Sequence, residues 1–332
     1  MSKTPDYVAE NMKRICADIN RGTFWDNICT PTTHTGRHIN RSPVNMLDRI
    51  VREGKNQVFS YQNADDMREC VTEAILTDLS TIYERVRKSD GEPFTHSVRL
   101  ADEVYQAEGD EVDFRTRNKG LERNAADGRI REISTDVTCV VLRKNDQMPY
   151  GFALVSAFPD PNSETAYETG RDLSAIAMET DAYKNGSYVM RAYLRAATEP
   201  GVGPCAVGYI AEHEGFPEQI AVSFASNRKG IEHQVYMDEQ SATLRSYRRE
   251  RGEKKRAVPC TIGPKPCNKM NINDPINEAY LFDMYPKEAE YIARIQDMLD
   301  EERLKMPRKE RRLPSNHIQG TDAQKENDYP KP

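Results

Sequence analysis

The sequence predicts an α+β protein, with N-terminal helices packed on an antiparallel sheet and a second α+β region of undetermined topology behind it. Two observations carry this. Apolar residues recur at helical spacing between Val44 and Val86, and after Gly91 the pattern changes to short alternating strands. A third places the division: Phe158-Pro159-Asp160-Pro161-Asn162-Ser163 is turn-rich, and a regular element cannot cross it. The expected organisation is a first domain over 1–160, a second over 161–311 and a disordered tail over 312–332. The tail lacks apolar periodicity and is rich in Asn, Asp, Gln, Lys and Pro.

Each early element has a start and a stop. Ser42-Pro43 opens a helix, with Ser as N-cap and Pro at the first position, where a missing N–H costs nothing. Val44, Leu47, Ile50 and Val51 form its apolar side, and Gly54 suits its end. Val58 to Tyr61 reads as a strand. Asn63 caps a second helix, with Asp65, Asp66 and Glu69 near its positive end. Its stripe is Met67, Val71, Ala74, Ile75, Leu79, Ile82 and Val86. Phe94 to Leu100, Val137 to Leu142 and Phe152 to Phe158 read as strands, the last two joined by a polar turn at Asn145-Asp146. The charged segment from Glu108 to Asp127 reads as a loop. Farther on, Tyr188 to Ala197 and Lys287 to Leu304 read as helices, Gln219 to Ala225 as a buried strand, and Asp274-Pro275 as a helix start.

Composition excludes several classes. No stretch approaches the roughly 20 apolar residues of a membrane helix. The N-terminal twenty residues hold Asp6, Glu10 and Asp18 and no apolar run, so no cleavable signal peptide is expected. The expected setting is cytoplasmic, or delivery into a target cell without a signal peptide. Seven scattered cysteines argue for reduced thiols over a disulfide framework. The net charge is −6, with 22 Lys and Arg against 26 acids in residues 1–160 and 25 against 27 in the rest. Neither half is a basic domain that could coat nucleic acid. Local basic runs occur from Arg245 to Arg256 and from Arg303 to Arg312, and such runs are ordinarily solvated helix ends or linkers.

The feature richest in chemistry is Thr33-His34-Thr35-Gly36-Arg37-His38-Ile39, just ahead of the helix that carries Arg49. An imidazole titrates near neutrality, and a helical turn from His34 to His38 would put both rings on one face. An arginine can grip a phosphoryl group with two parallel hydrogen bonds. Histidine and arginine without a metal cluster suit transphosphorylation of RNA: one group takes the ribose 2′-hydroxyl proton, another protonates the departing 5′-oxygen, and a cation steadies the phosphate. DNA lacks that internal nucleophile. Plainer uses exist: such a pair also caps helices, faces solvent or binds zinc, and Arg49 can pair with Glu53 one turn on.

The order of these stretches resembles the bacterial ribonuclease A-like domain at the C-termini of contact-dependent inhibition toxins and related polymorphic toxins. In that family a His-x3-His-[IV] segment precedes a helix with Leu-x-x-Arg, a Ser-Phe-like strand, a long Ala-rich helix and a strand ending in Thr-x-Tyr-Pro. The matching stretches are His34 to Ile39, Leu47 to Arg49, Phe59-Ser60-Tyr61, Met67 to Val86, Val140 to Arg143, Gly151-Phe152 and Ser156 to Pro159. The likeness spans roughly residues 25–160. It implies a ribonuclease A-like fold, a metal-independent and cofactor-free RNA endonuclease, RNA as substrate and a cognate immunity protein as partner. It also implies that His38 is the main acid–base group, Arg49 the phosphate partner and His34 a second ionisable or structural histidine. Ser156 and Phe158 fall where the family has threonine and tyrosine. Serine keeps the hydroxyl, whereas Phe158 leaves only a ring for base stacking. Leu47 stands two residues before Arg49, where the family has three. A catalytically silent RNA- or protein-binding module on the same fold is the alternative.

In the second half, Cys260 and Cys267 lie too far apart for an ordinary zinc pair. Pro259-Cys260 and Pro266-Cys267 without a Pro-Cys-x-x-Cys segment would make at most a degenerate deaminase-like domain. Buried, inert thiols are the simpler expectation. His213 between two glutamates could bind a metal, although such surface triplets are common. Gly201-Val202-Gly203 lacks the Lys-Ser/Thr of a phosphate loop.

Overall fold

The computed structural model describes residues 4–100, 105–107, 110–112, 118–160, 166–200, 205–213, 215–238, 241–248 and 254–306. The architecture is mixed α and β with antiparallel sheets. The expected tail over 312–332, the end of the second basic run, and Arg249 and Arg251 of the first lie outside the described residues.

The early elements form as their caps dictate. Helix α1 (Thr4–Asn20) is followed by α2 (Pro43–Arg52), where the Ser42 hydroxyl accepts from the Asn45 N–H at 3.2 Å. Gly54 follows at φ +64°, a left-handed turn that releases the chain into β1 (Gln57–Tyr61). The Asn63 carboxamide oxygen accepts from the N–H groups of Asp65 and Asp66, both at 2.8 Å. The apolar stripe from Met67 to Val86 is buried throughout, but the helix is not continuous. It divides at Asp78 into α3 (Ala64–Thr77) and α4 (Leu79–Lys88). The Asp78 carboxylate is engaged by the Thr81 hydroxyl at 2.7 Å and by His96 Nε2 at 2.8 Å, which fixes the break.

A three-stranded sheet pairs β2 (Phe94–Arg99), β7 (Val137–Lys144) and β8 (Phe152–Pro159) in that order. Helices α1, α3 and α4 cover it, burying Ile15, Val71, Ile75, Ile82, Val140, Phe152, Leu154 and Ala157 in one core. A second sheet orders β1, β5 (Asn118–Arg123), β6 (Ile130–Ser134) and β9 (Tyr167–Glu168). The loop expected over Glu108 to Asp127 is therefore corrected in part. Residues 118–123 are an inner strand between β1 and β6, because Asn118, Gly120 and Leu121 present buried groups that charge counting overlooks. Asp110–Val112 also pairs, with Tyr105–Ala107, as a two-stranded ribbon of β3 and β4.

The C-terminal half is an antiparallel meander, β10 (Ala206–Ile210), β11 (Gln219–Ala225), β12 (Ile231–Met237), β13 (Ala242–Arg248) and β14 (Arg256–Val258), with β15 (Met270–Asn271) also paired to β13. Burial alternates along β11, so Gln219–Ala225 has one covered face and is not buried on both. After the short helices α5 (Ser174–Glu179) and α6 (Asp181–Asn185), α7 (Tyr188–Thr198) and α9 (Pro286–Lys305) pack here, with α8 (Pro275–Met284) between them in the chain. This second core joins Ala192, Tyr193, Ile292 and Ile295 to Val222, Val235 and Leu244. It also takes in Met46, Leu47 and Ile50 of α2, Val58 of β1, Leu121 and Ile130. One face of α2 is thus rooted among C-terminal residues. Among the described residues, no helix is long and apolar enough to cross a membrane.

Candidate active site

The site is built where a strap of chain, residues 28–41, runs from β8 to β1. At the β8 end, Leu154 N–H donates to the Ile28 carbonyl, the Thr33 hydroxyl to the Leu154 carbonyl and His34 N–H to the Val155 carbonyl, each at 2.7 Å. At the β1 end, Asn40 N–H donates to the Tyr61 carbonyl and Arg41 N–H to the Ser60 hydroxyl, both at 3.0 Å. Asn40 has φ 52°, a left-handed conformation that asparagine tolerates better than most residues, and it swings the chain toward Ser42 and α2. Between the anchors, Gly36–His38 makes one 3-10 turn. His34 lies ahead of that turn and is exposed, so the pair does not ride one helical face as the spacing suggested.

A bulge on β8 sets the opposite wall. Register slips between Val141 and Leu142, which pair with Ser156 and Leu154 and leave Val155 without an opposite residue. The slip lets Leu154 and Ala157, three residues apart, both enter the first core. Beyond it, Ser156 and Phe158 take the other face.

His38, Arg49, Lys55, Gln57, Val58, Phe59, Phe158 and Pro159 line an open cleft of about 230 Å³. The His38 and Phe158 rings stand 5.5 Å apart at a 41° tilt. His38 Nδ1 is buried with no hydrogen-bond partner among the described residues. Leaving such an atom unsatisfied costs roughly 1–3 kcal/mol, so it marks a place where a polar ligand group would be welcome. Burial pushes the His38 pKa below its ordinary value, a backbone hydrogen bond at Phe59 pulls it up, and the charges of Arg49, Lys55 and Arg41 hold it down. The ring is thus neutral near pH 7 and able to take a proton.

Arg49 donates from Nε to both Glu53 oxygens, at 3.3 and 3.4 Å, the local pairing its spacing allowed. Lys55 Nζ lies 3.2 Å from Glu53 Oε2. The Lys55 hydrogen bond, then the Arg49 charge, hold the Glu53 carboxyl below its usual range. Of the residues singled out from sequence, the cleft brings together His38, Arg49 and Phe158. Ser156 and His34 meet one another instead: the Ser156 hydroxyl donates to the His34 carbonyl at 3.1 Å. Lys55 and Gln57 are lining residues outside every stretch quoted from the sequence. A signal for Lys55 was present, since it directly follows the left-handed Gly54 in the short link from the helix of Arg49 to β1.

The candidates of the second half are placed differently. Cys260 and Cys267 face each other across two backbone hydrogen bonds of 2.7 and 3.0 Å, both as free thiols. Burial raises the Cys260 thiol pKa and takes those of Cys139 and Cys205 to about 12, so all three are poor nucleophiles. His213 stacks on Phe216 with ring centroids 5.0 Å apart. Among the described residues no group of three or more His, Cys, Asp or Glu side chains is arranged to hold a metal.

No protein-family model matches the chain, and neither does any curated protein. Among solved structures, a chain of the CdiA-CT/CdiI complex from Y. kristensenii 33638 is similar over 38% of this chain and 96% of its own, at 14% identity and a TM-score of 0.30.

Proposed function

We propose that the cleft cleaves RNA, as a metal-independent endonuclease of the bacterial toxin type. Neutral His38 takes the proton of a ribose 2′-hydroxyl, which attacks the adjacent phosphorus. Arg49 and Lys55 offset the charge that grows on the non-bridging oxygens, and the products are a 2′,3′-cyclic phosphate and a free 5′-hydroxyl. Phe158 offers no proton, so the leaving 5′-oxygen draws one from solvent across the open mouth, and departure is the slow step. What carries this reading is a single juxtaposition: a half-buried imidazole with an unpartnered nitrogen shares one cleft with two cations and an aromatic ring. The remaining partner in the proposal is a cognate immunity protein, which a producing cell would need.

A second reading, an RNA- or protein-binding module without turnover, is favoured by the missing phenol at Phe158 and by the Ser156 hydroxyl, which is engaged with His34. One experiment separates them. The full chain is incubated with RNA in excess chelator, beside an all-2′-deoxy strand of the same sequence. Nuclease action gives RNA fragments ending in 2′,3′-cyclic phosphate and leaves the deoxy strand whole. Binding of both strands with intact RNA identifies the silent module.

A further inference from the structure

Beside the cleft, against two of its lining side chains, lies a group that the proposed reaction does not use. One carboxylate, that of Glu53, is shared by both cations: Arg49 Nε reaches its two oxygens at 3.3 and 3.4 Å, and Lys55 Nζ reaches one at 3.2 Å. We propose that Arg49 and Lys55 form a single two-cation phosphate seat, and that Glu53 is the internal anion a substrate phosphodiester displaces from it. The proposal rests on the cleft being a phosphate-binding site.

Three observations support it. A carboxylate and the non-bridging oxygens of a phosphodiester are both flat-on, singly charged acceptor pairs, so what holds one holds the other. Arg49 and Glu53 differ in freedom: Arg49 is only 20% exposed, on the helix rooted in the second core, while Glu53 is 46% exposed at that helix's end. Glu53 can therefore rotate into water and stay charged while Arg49 keeps its place. Finally, the Arg49 Nη nitrogens have no partner among the described residues, so the outer edge of the guanidinium remains open to a two-pronged contact. The net charge of the seat rises by one when Glu53 leaves, just as a phosphate arrives. A chain of net charge −6 thereby gains a local anion site without a basic face. The arrangement favours polyanions, which can keep the seat against a tethered competitor, over isolated monoanions.

The test measures binding without turnover. A fluorescent all-2′-deoxy hexanucleotide is titrated into the full-length chain by anisotropy, and inorganic phosphate is titrated while the His38 ring-proton resonances are followed. Glu53→Gln should bind the hexanucleotide about 3–10-fold tighter, with log K falling more steeply with log salt by up to about 0.7. Arg49→Met and Lys55→Met should each weaken binding, and the Glu53→Gln gain should vanish in either background, because the seat no longer exists. Equal or weaker binding by Glu53→Gln overturns the proposal. So does a full gain that survives in the Arg49→Met background, since Glu53 would then act only as a distant charge. Because the probe has no 2′-hydroxyl, failure of the wild-type chain to cut RNA sinks the nuclease reading and leaves this outcome unaffected.

Discussion

Two histidines of this chain, in different regions, are both pushed below their ordinary pKa by burial, yet their surroundings differ in kind. His233 lies on β12 with Nδ1 2.9 Å from the Ser246 hydroxyl and Nε2 3.3 Å from the Tyr285 hydroxyl, in a three-ring cluster with Phe224 and Tyr285. Both nitrogens are satisfied, and its pKa falls to about 4 through burial alone. His38 keeps an unsatisfied buried nitrogen, has an open cleft beside it, and feels three nearby cations as well as burial. A depressed pKa is thus common to both. An unmet hydrogen-bonding need facing accessible space belongs to one. The pair teaches that satisfaction of the ring, not its titration, separates the histidine of the core from the histidine of the candidate cleft.

That contrast can be broken in four ways. The largest expected effect is His38→Ala, which should lower RNA cleavage about 10²–10⁴-fold, a barrier change of roughly 3–5 kcal/mol, while leaving the urea midpoint nearly unchanged. Equal cleavage by both proteins would remove His38 from the chemistry. Next is Gly120→Ala. Gly120 sits opposite Phe59 in the β1–β5 pairing, and an added Cβ would lie 2.0 Å from that ring. Overpacking of this kind costs roughly 1–3 kcal/mol. Because Phe59 lines the cleft and its backbone meets His38, cleavage should fall together with stability; full activity in a destabilised variant would uncouple that wall from the site.

The third concerns pH, and acts on His233. Its folded pKa of about 4 lies below the unfolded 6.5, so its contribution is complete above pH 6.5 and drains away as pH falls toward 4. Between pH 7 and 5 the loss should be about 2 kcal/mol by chemical denaturation. His233→Phe should flatten that slope, and an unchanged slope would show that another group carries it. The smallest is a gain. Phe158→Tyr places a phenolic donor beside His38 and should raise cleavage roughly tenfold if leaving-group protonation limits the rate. No gain would mean that departure is not the slow step.

How much of this was legible in sequence depended on the range of the forces involved. Caps and stripes are local, and Ser42, Asn63 and Asp274 start helices where their side chains meet nearby N–H groups. The division of the long helix at Asp78 was not legible, because it depends on His96, eighteen residues away. The strand at Asn118–Arg123 was hidden for a similar reason: its charged residues Lys119, Glu122 and Arg123 mask an inner position that only the sheet partners reveal. At the candidate site, His38, Arg49 and Phe158 could be named from motif order and the Arg49–Glu53 pair from its spacing, but the sharing of Glu53 with Lys55 could not. Their roles arise from the turn at Gly54, which brings the helix end and the β1 entrance to one wall of the cleft.

The rooting of α2 has a last consequence. His38 is held by the strap between β8 and β1, while the helix of Arg49 has Met46, Leu47 and Ile50 embedded in the C-terminal core. The histidine and the arginine therefore share β1 as a support, but the strap is tied to β8 of the first core and the helix to the C-terminal core, so their separation depends on how the two cores are registered. A displacement of about 1 Å between reacting groups can cost on the order of a hundredfold in rate. Residues beyond 172, remote from the cleft in sequence, thus act as ballast for the arginine. A chain trimmed to residues 1–160 would keep His38, Arg49 and Phe158 and lose the C-terminal part of the core in which the helix of Arg49 is embedded.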